Sequence, residues 1–490
     1  MKYFNIPKKI LNIIDGEELI PKTDQYFNKL NPHNGQVICE VSSSNKEDIN
    51  LAVAAAKKVQ TRWANVPPVK RGEILFAIAD KMKEYRNDIA QTVSLETGKS
   101  LKDALGETDG AISLALFMAG EGQRFYGKTT TSGADNKYAM TIREPVGVAA
   151  LIIAANTPIA NIAWKVFPAL ICGNSVILKS SEDTPLTSWL FGKIAYMTNL
   201  PKGVLNIVQG YGLQAGSALV EHTDVNLISF TGSTSVGRYI ARTAGERLMK
   251  ISLELGGKNP LVVCDDANQE NALKWAILSA FSNAGQRCAS AGRIIIFSSI
   301  YEQFRNMFVE KTKTLKVGLK DEDDFGPVIN EKQLNNMLMR VKQAKKGGAK
   351  ILTGGERLMD EYHKDGFYMS PTIIENVKPD DEISVTELFG PITCLYSAND
   401  FKSALELVNN SPYGLTACIH TTNFNRAIEF TRKVQSGVVV VNGGTYGSEP
   451  HMPFGGVKQS GNGTREPGTE ALDVYSNIKD VYQFVDIESC

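Results

Sequence analysis

The sequence predicts an α/β protein made of two domains, each a doubly wound parallel sheet. From about residue 146 to 230, short apolar runs alternate with helix-patterned ones. A second alternating series runs from about 269 to 442. A parallel sheet with helices on both faces buries both kinds of segment. The length of 490 residues accommodates two large domains. Pro- or Ser-rich linkers and internal repeats are absent, so the domains are expected to pack tightly.

Residues 20–45 read as short strands and turns, with a strong turn signal at Asn31-Pro-His-Asn-Gly35. From Asn45 the apolar spacing turns helical through Ile49, Leu51, Ala52, Ala55, Ala56 and Val59, and Pro67 and Pro68 end it. A longer helical region covers 71–125, with interruptions expected at Gly98 and Gly110. Residues 137–143 alternate like an extended strand, and 146–154 read as a buried one. A helix near 158–171, a strand at 175–179, a helix from Pro185, a strand at 205–208, the turn Gly210-Tyr-Gly212, a short helix and a strand at 227–230 follow. In the second series, helices are expected near 299–316, 331–347, 401–410 and 422–436.

Composition excludes several function classes. Lys plus Arg and Asp plus Glu are 53 each, so no basic surplus points to nucleic acid or a membrane surface. No apolar run reaches transmembrane length, and Met1 to Lys9 has no signal-peptide core. Seven scattered cysteines without CxxC pairs suit a cytoplasmic protein. With five dispersed histidines, no metal site is expected.

The chemistry centres on Phe281-Ser-Asn-Ala-Gly-Gln-Arg-Cys-Ala-Ser-Ala-Gly-Arg293. Cys288 lies among small residues at a turn between a helix-patterned run and a strand-like one, where a nucleophile can be held. Arg287 and Arg293 are expected to help lower its pKa. Phe230-Thr-Gly-Ser-Thr-Ser-Val-Gly237 joins a strand to a helix; Gly232 lets the backbone turn closely, and Ser233 with the helix N–H groups suits a phosphate. A capped helix start explains the same pattern equally well. Lys179 and Glu182, at the carboxyl edge of the sheet, are placed to hold ribose hydroxyls, or are ordinary solvated loop residues. Glu254, between two leucines before a glycine pair, reads as a desolvated general base or a surface-facing strand residue. Asn156 follows a buried strand, where its amide serves an oxyanion or caps a helix.

Together these stretches resemble the aldehyde dehydrogenase superfamily over nearly the whole chain. The matching residues are Asn156-Thr-Pro, Trp164-Lys165, Gly173 to Lys179, Phe230-Thr-Gly-Ser233, Leu253 to Gly257, Gly285-Gln-Arg-Cys288, Glu387-Leu-Phe-Gly-Pro391, Pro453-Phe-Gly-Gly456 and Ser460-Gly461. The resemblance implies an enzyme that oxidises aldehydes with NAD, NADP being less preferred. Cys288 is the implied nucleophile, giving a thiohemiacetal and then a thioester, and Glu254 the base that activates the hydrolytic water. Asn156 and the Cys288 N–H hold the oxyanion, while Lys165 and Glu466 relay the proton outward. Lys179 and Glu182 hold the adenosine ribose, Ser233 with Gly232 the pyrophosphate, and Glu387 the nicotinamide ribose beside Phe389. The implied fold has Rossmann-like domains: NAD-binding at 1–123 and 146–255, and catalytic at 256–471. A small β oligomerisation flap, 124–145 and 472–490, implies a homodimer or homotetramer.

Two departures bear on substrate. Ala155 and Thr157 stand where the family usually places aromatic residues beside the oxyanion asparagine, and the loop 443–452 is individual. Arg287, Thr157, Tyr446 and His451 are the candidate substrate residues for a small, carboxylate-bearing aldehyde. The stretch around Met118 to Glu121, with Gln286 to Cys288, is similar to the branch oxidising 2-oxoglutarate semialdehyde. Arg287 paired with an acidic neighbour is the plainer alternative. A CoA-acylating enzyme or a catalytically retired structural member are the rival functions; the presence of Glu254 argues against the first, and of Cys288, Glu254 and Asn156 against the second.

Overall fold

The computed structural model describes residues 5–320 and 322–486, so Met1 to Phe4 and the end of the tail with Cys490 lie outside the described residues. One seven-stranded sheet runs in the order Lys250–Glu254, Leu227–Thr231, Val148–Ile152, Ser175–Lys179, Leu205–Val208, Asn12–Ile14 and Glu17–Leu19. Its first five strands are parallel, and an N-terminal hairpin extends it antiparallel. Val148–Ile152 and Ser175–Lys179 are buried at every position, as strands covered on both faces must be.

The second seven-stranded sheet runs Lys350–Thr353, Thr372–Glu375, Ile392–Ala398, Ala291–Phe297, Asn259–Val263, Thr416–His420 and Val438–Val441. All but the first pair parallel to their neighbours. This series begins at Asn259, earlier than the expected 269. Pro260 disguises the strand, and the ladder shifts register there, where a proline is tolerated. A three-stranded antiparallel sheet of Ser476–Phe484, Lys137–Pro145 and Thr129–Thr130 stands apart, with Tyr138, Ile478, Tyr482 and Phe484 exposed.

The helical region divides differently from its expected pattern. Its helices are Pro68–Glu84, Arg86–Thr97 and Leu101–Gly120, so the breaks fall at Tyr85 and Gly98, and none at Gly110. Gly98 has φ +81, and a Cβ there would lie 2.6 Å from the Pro327 ring. A Cβ on Gly110 would meet nothing within 4 Å among the described residues outside its own turn of helix. Its propensity cost of about 1 kcal/mol does not stop a helix whose opposite face is buried. Among the described residues, no helix is long and apolar enough to cross a membrane.

Candidate active site

Cys288 stands on a turn with an unusual backbone. After the helix Gln269–Phe281, Asn283, Ala284 and Gly285 take left-handed φ values of 53, 54 and 66°. For Ala284 that costs on the order of 1 kcal/mol. The surroundings hold it there. The Gln286 amide donates to Asn283 O and Pro327 O at 3.3 Å, and its Oε1 accepts the Ile329 N–H at 2.8 Å. A Cβ on Gly285 would lie 2.1 Å from Gly390 O. On the other side, Asn259 Nδ2 donates to Cys288 O at 2.7 Å and Ser290 O at 2.9 Å. Thr445 Oγ1 donates to Ala289 O at 2.6 Å.

The thiol is pushed up to about 12, by burial first and then by the charges of Glu387 and Glu254, against the Ala289 N–H and Arg287. This reverses the expected lowering by two arginines. Arg293 is buried facing elsewhere, donating to Lys258 O, Leu407 O and Val408 O. Arg287 opposes the shift without overcoming it.

Glu254 ends the strand Lys250–Glu254 and is only 4% exposed, so it is no surface-facing residue. Neither carboxylate oxygen finds a hydrogen-bond partner among the described residues. The backbone on either side is pinned, with Leu253 N–H on Asn462 Oδ1 and Leu255 N–H on Ser460 O. Burial, then the charge of Glu466, lifts its proton affinity well above the carboxylate range, against Lys165 and Arg465. A Cβ on Gly455 would lie 2.9 Å from Glu254 Oε1, so a glycine keeps that side open.

Lys165 and Glu466 come together at 2.7 Å, both fully buried. Two further residues close the group. Ser229 Oγ accepts from Lys165 Nζ at 2.7 Å and donates to Glu466 Oε1 at 2.8 Å, and Tyr475 Oη donates to the same oxygen at 2.8 Å. Neither was marked by the sequence reading; the available signal was one hydroxyl inside the apolar run 227–230.

The loop of Asn156 is set by a buried ion pair. Lys99 Nζ donates to Asn156 O at 2.6 Å and meets Glu107 at 2.5 Å. Glu107 Oε1 accepts the N–H groups of Ile159 at 3.0 Å and Ala160 at 3.3 Å, capping the helix Pro158–Ile171 from outside. Lys99 and Glu107 fall in the helical region 71–125, where the sequence shows no motif for a site. Thr157 Oγ1 already accepts from Asn161 Nδ2 at 3.0 Å.

At the edge of the first sheet, Lys179 Nζ meets Glu182 at 3.2 Å. Ser233 caps the helix Thr234–Gly245 and is exposed. The side chain Gly232 lacks would lie 2.4 Å from the Phe230 ring. Glu387 Oε1 accepts the Gly257 N–H at 2.9 Å, and burial raises its pKa to about 7. Phe389 follows with φ 56°. The Arg287 guanidinium lies 4.8 Å over the Tyr446 ring, which meets Trp275 edge-on at 6.3 Å. His451 is exposed, 3.5 Å from Glu449. Among the described residues no group of three or more His, Cys, Asp or Glu is placed to hold a metal ion.

The aldehyde dehydrogenase family model matches residues 19–481. An alpha-ketoglutaric semialdehyde dehydrogenase of Bacillus subtilis is 36% identical over 475 residues, 96% of this chain and 97% of that protein. An aldehyde dehydrogenase of Emericella nidulans is 36% identical over 93% of this chain and 91% of its own. A crystal structure of betaine aldehyde dehydrogenase from Staphylococcus aureus, in complex with NAD+, superposes with a TM-score of 0.95 at 33% identity, covering 97% of this chain and 95% of that one. With the family model spanning nearly all of it, the chain belongs to the aldehyde dehydrogenase family.

Proposed function

We propose that this protein oxidises a small, carboxylate-bearing aldehyde, the semialdehyde of a short dicarboxylic or 2-oxo acid, to the corresponding acid with NAD. One observation carries the substrate class. Arg287 directly precedes the nucleophile and stacks on Tyr446, its Nε is buried without a hydrogen-bond partner, and no ion pair to a described acid engages it. A stacked guanidinium keeps its edge donors for a carboxylate, and the plainer alternative of an acidic protein neighbour finds no support. The name of the Bacillus subtilis relative points the same way. Thr157 contributes a hydroxyl, and we keep Tyr446 and His451 as pocket residues, Tyr446 on firmer ground through Arg287.

The residues at the sheet edge fit NAD. Lys179 and Glu182 offer a buried ammonium and a carboxylate for ribose hydroxyls, and Ser233 with Gly232 opens a helix N-terminus for the pyrophosphate. Glu387 and Phe389 supply the nicotinamide end. NAD, when bound, accepts the hydride. Cys288 gives its thiol proton to solvent water and attacks the aldehyde carbon, and the Asn156 amide with the Cys288 N–H holds the oxyanion. After hydride loss the thioester remains on Cys288. Glu254 takes a proton from water, the hydroxide adds to the thioester carbon, and the tetrahedral adduct expels the Cys288 thiolate. The acid's proton returns to that thiolate, and the proton on Glu254 leaves by way of Glu466 and Lys165. A CoA-acylating reaction has no use for a buried, unpartnered Glu254, and a retired structural member has no use for the assembled group.

We also propose the division into NAD-binding, catalytic and flap parts drawn above, with assembly of a homodimer or homotetramer through the exposed apolar residues of the flap sheet; light scattering distinguishes the two. The described cysteines are all free, which supports a cytoplasmic location.

The test of the substrate reading is Arg287→Met. The Michaelis constant for carboxylated semialdehydes should rise by about 10- to 100-fold, with little change for propanal, because a charge-assisted bidentate contact is lost only with the former. Equal effects on both substrates would remove Arg287 from the pocket.

A further inference from the structure

Glu254 and Glu466 are both buried carboxylates, and one raises the proton affinity of the other. What separates them is their partners. Glu466 Oε1 accepts from Ser229 and from Tyr475, and Oε2 accepts from Lys165. Both Glu466 oxygens are thus engaged, whereas those of Glu254 have no partner among the described residues. A carboxylate with one donor fewer is held less firmly, and turned toward Glu254 it would set a like charge closer to the base.

We propose that Tyr475 and Ser229 are positioning residues for hydrolysis of the thioester: they fix the Glu466 carboxylate against Lys165, which leaves Glu254 free to engage water. This rests on the assignment of Glu254 as the base. The four side chains come from four separate places. Lys165 lies on the helix Pro158–Ile171, Ser229 on the strand Leu227–Thr231, Glu466 on the loop beyond Ser460, and Tyr475 at the end of the helix Ala471–Tyr475. Tyr475 is locked in turn. Its carbonyl accepts from Asn174 Nδ2 at 2.8 Å, while Lys250 Nζ donates to Asp473 O and Ser476 O on either side. The next residue opens the flap strand Ser476–Phe484, so the hydroxyl ties the flap's entry point to the proton path.

Because the pair acts after hydride transfer, its loss should show in kcat and spare kcat/KM. In the full-length enzyme, Tyr475→Phe should lower kcat about tenfold and KM in proportion, with the NADH burst still near one equivalent per site. Ser229→Ala should do the same. In a Glu254→Gln background, Tyr475→Phe should have no further effect, since both act on one step. A fall in kcat/KM or loss of the burst in both Tyr475→Phe and Ser229→Ala would mean a general loosening and would overturn the proposal, as would unchanged kcat. If Glu254→Gln itself leaves thioester hydrolysis untouched, the base assignment fails instead.

Discussion

The cofactor edge of the first sheet and the pocket around Cys288 solve opposite problems. At the edge, polar side chains satisfy one another: Lys179 holds Glu182, and Ser233 caps its helix. A ligand there exchanges one set of hydrogen bonds for another. In the pocket, Glu254 and Arg287 Nε are buried without a hydrogen-bond partner among the described residues, and the backbone before Cys288 is held left-handed. Unmet hydrogen bonds and strain are costly, and both persist where the surroundings over-determine them. On the proposed roles, chemistry sits at the unsatisfied end and binding at the satisfied one.

Breaking the pocket should therefore have the largest effect. Cys288→Ala should lower aldehyde oxidation by about 10⁴-fold or more while leaving the fold and NAD binding intact, as checked by steady-state rates and NAD titration. In the cofactor-free wild type, the same thiol should react with iodoacetamide slowly at neutral pH. The rate should climb by about tenfold per pH unit into the alkaline range, because only the thiolate reacts. Substantial turnover in the alanine variant would reassign the nucleophile.

Altering the satisfied edge should give a smaller change. In its proposed role Glu182 would accept from ribose hydroxyls but repel a 2′-phosphate, a repulsion Lys179 would partly offset. NAD should be preferred over NADP by about tenfold in kcat/KM, and Glu182→Gln should shrink that ratio with little change in kcat. Equal use of both cofactors by the wild type would show Glu182 turned from the ribose.

Legibility followed the same division. The strands at 175–179 and 205–208 and the helices near 158–171 and 331–347 were readable because apolar periodicity and proline starts are local signals. The strand Asn259–Val263 was hidden by Pro260, and the break at Tyr85 has no glycine or proline to mark it. Cys288, Glu254 and Asn156 stood out through glycine-rich surroundings and family motifs. Lys99, Glu107, Asn259, Ser229 and Tyr475 did not, since each acts through a hydrogen bond to a residue far away in sequence. The direction of the Cys288 shift was also out of reach. Adjacent arginines are visible in a sequence, whereas burial and two distant carboxylates are not.

The central claim is that Cys288 carries the acyl group and Glu254 acts mainly on its hydrolysis. Rapid mixing of Glu254→Gln with NAD and a reactive aldehyde tests it most directly. The account predicts an NADH burst near one equivalent per active site, followed by turnover slowed about 100- to 1000-fold. A variant that loses the burst along with turnover would contradict it, placing Glu254 before hydride transfer, in deprotonating Cys288.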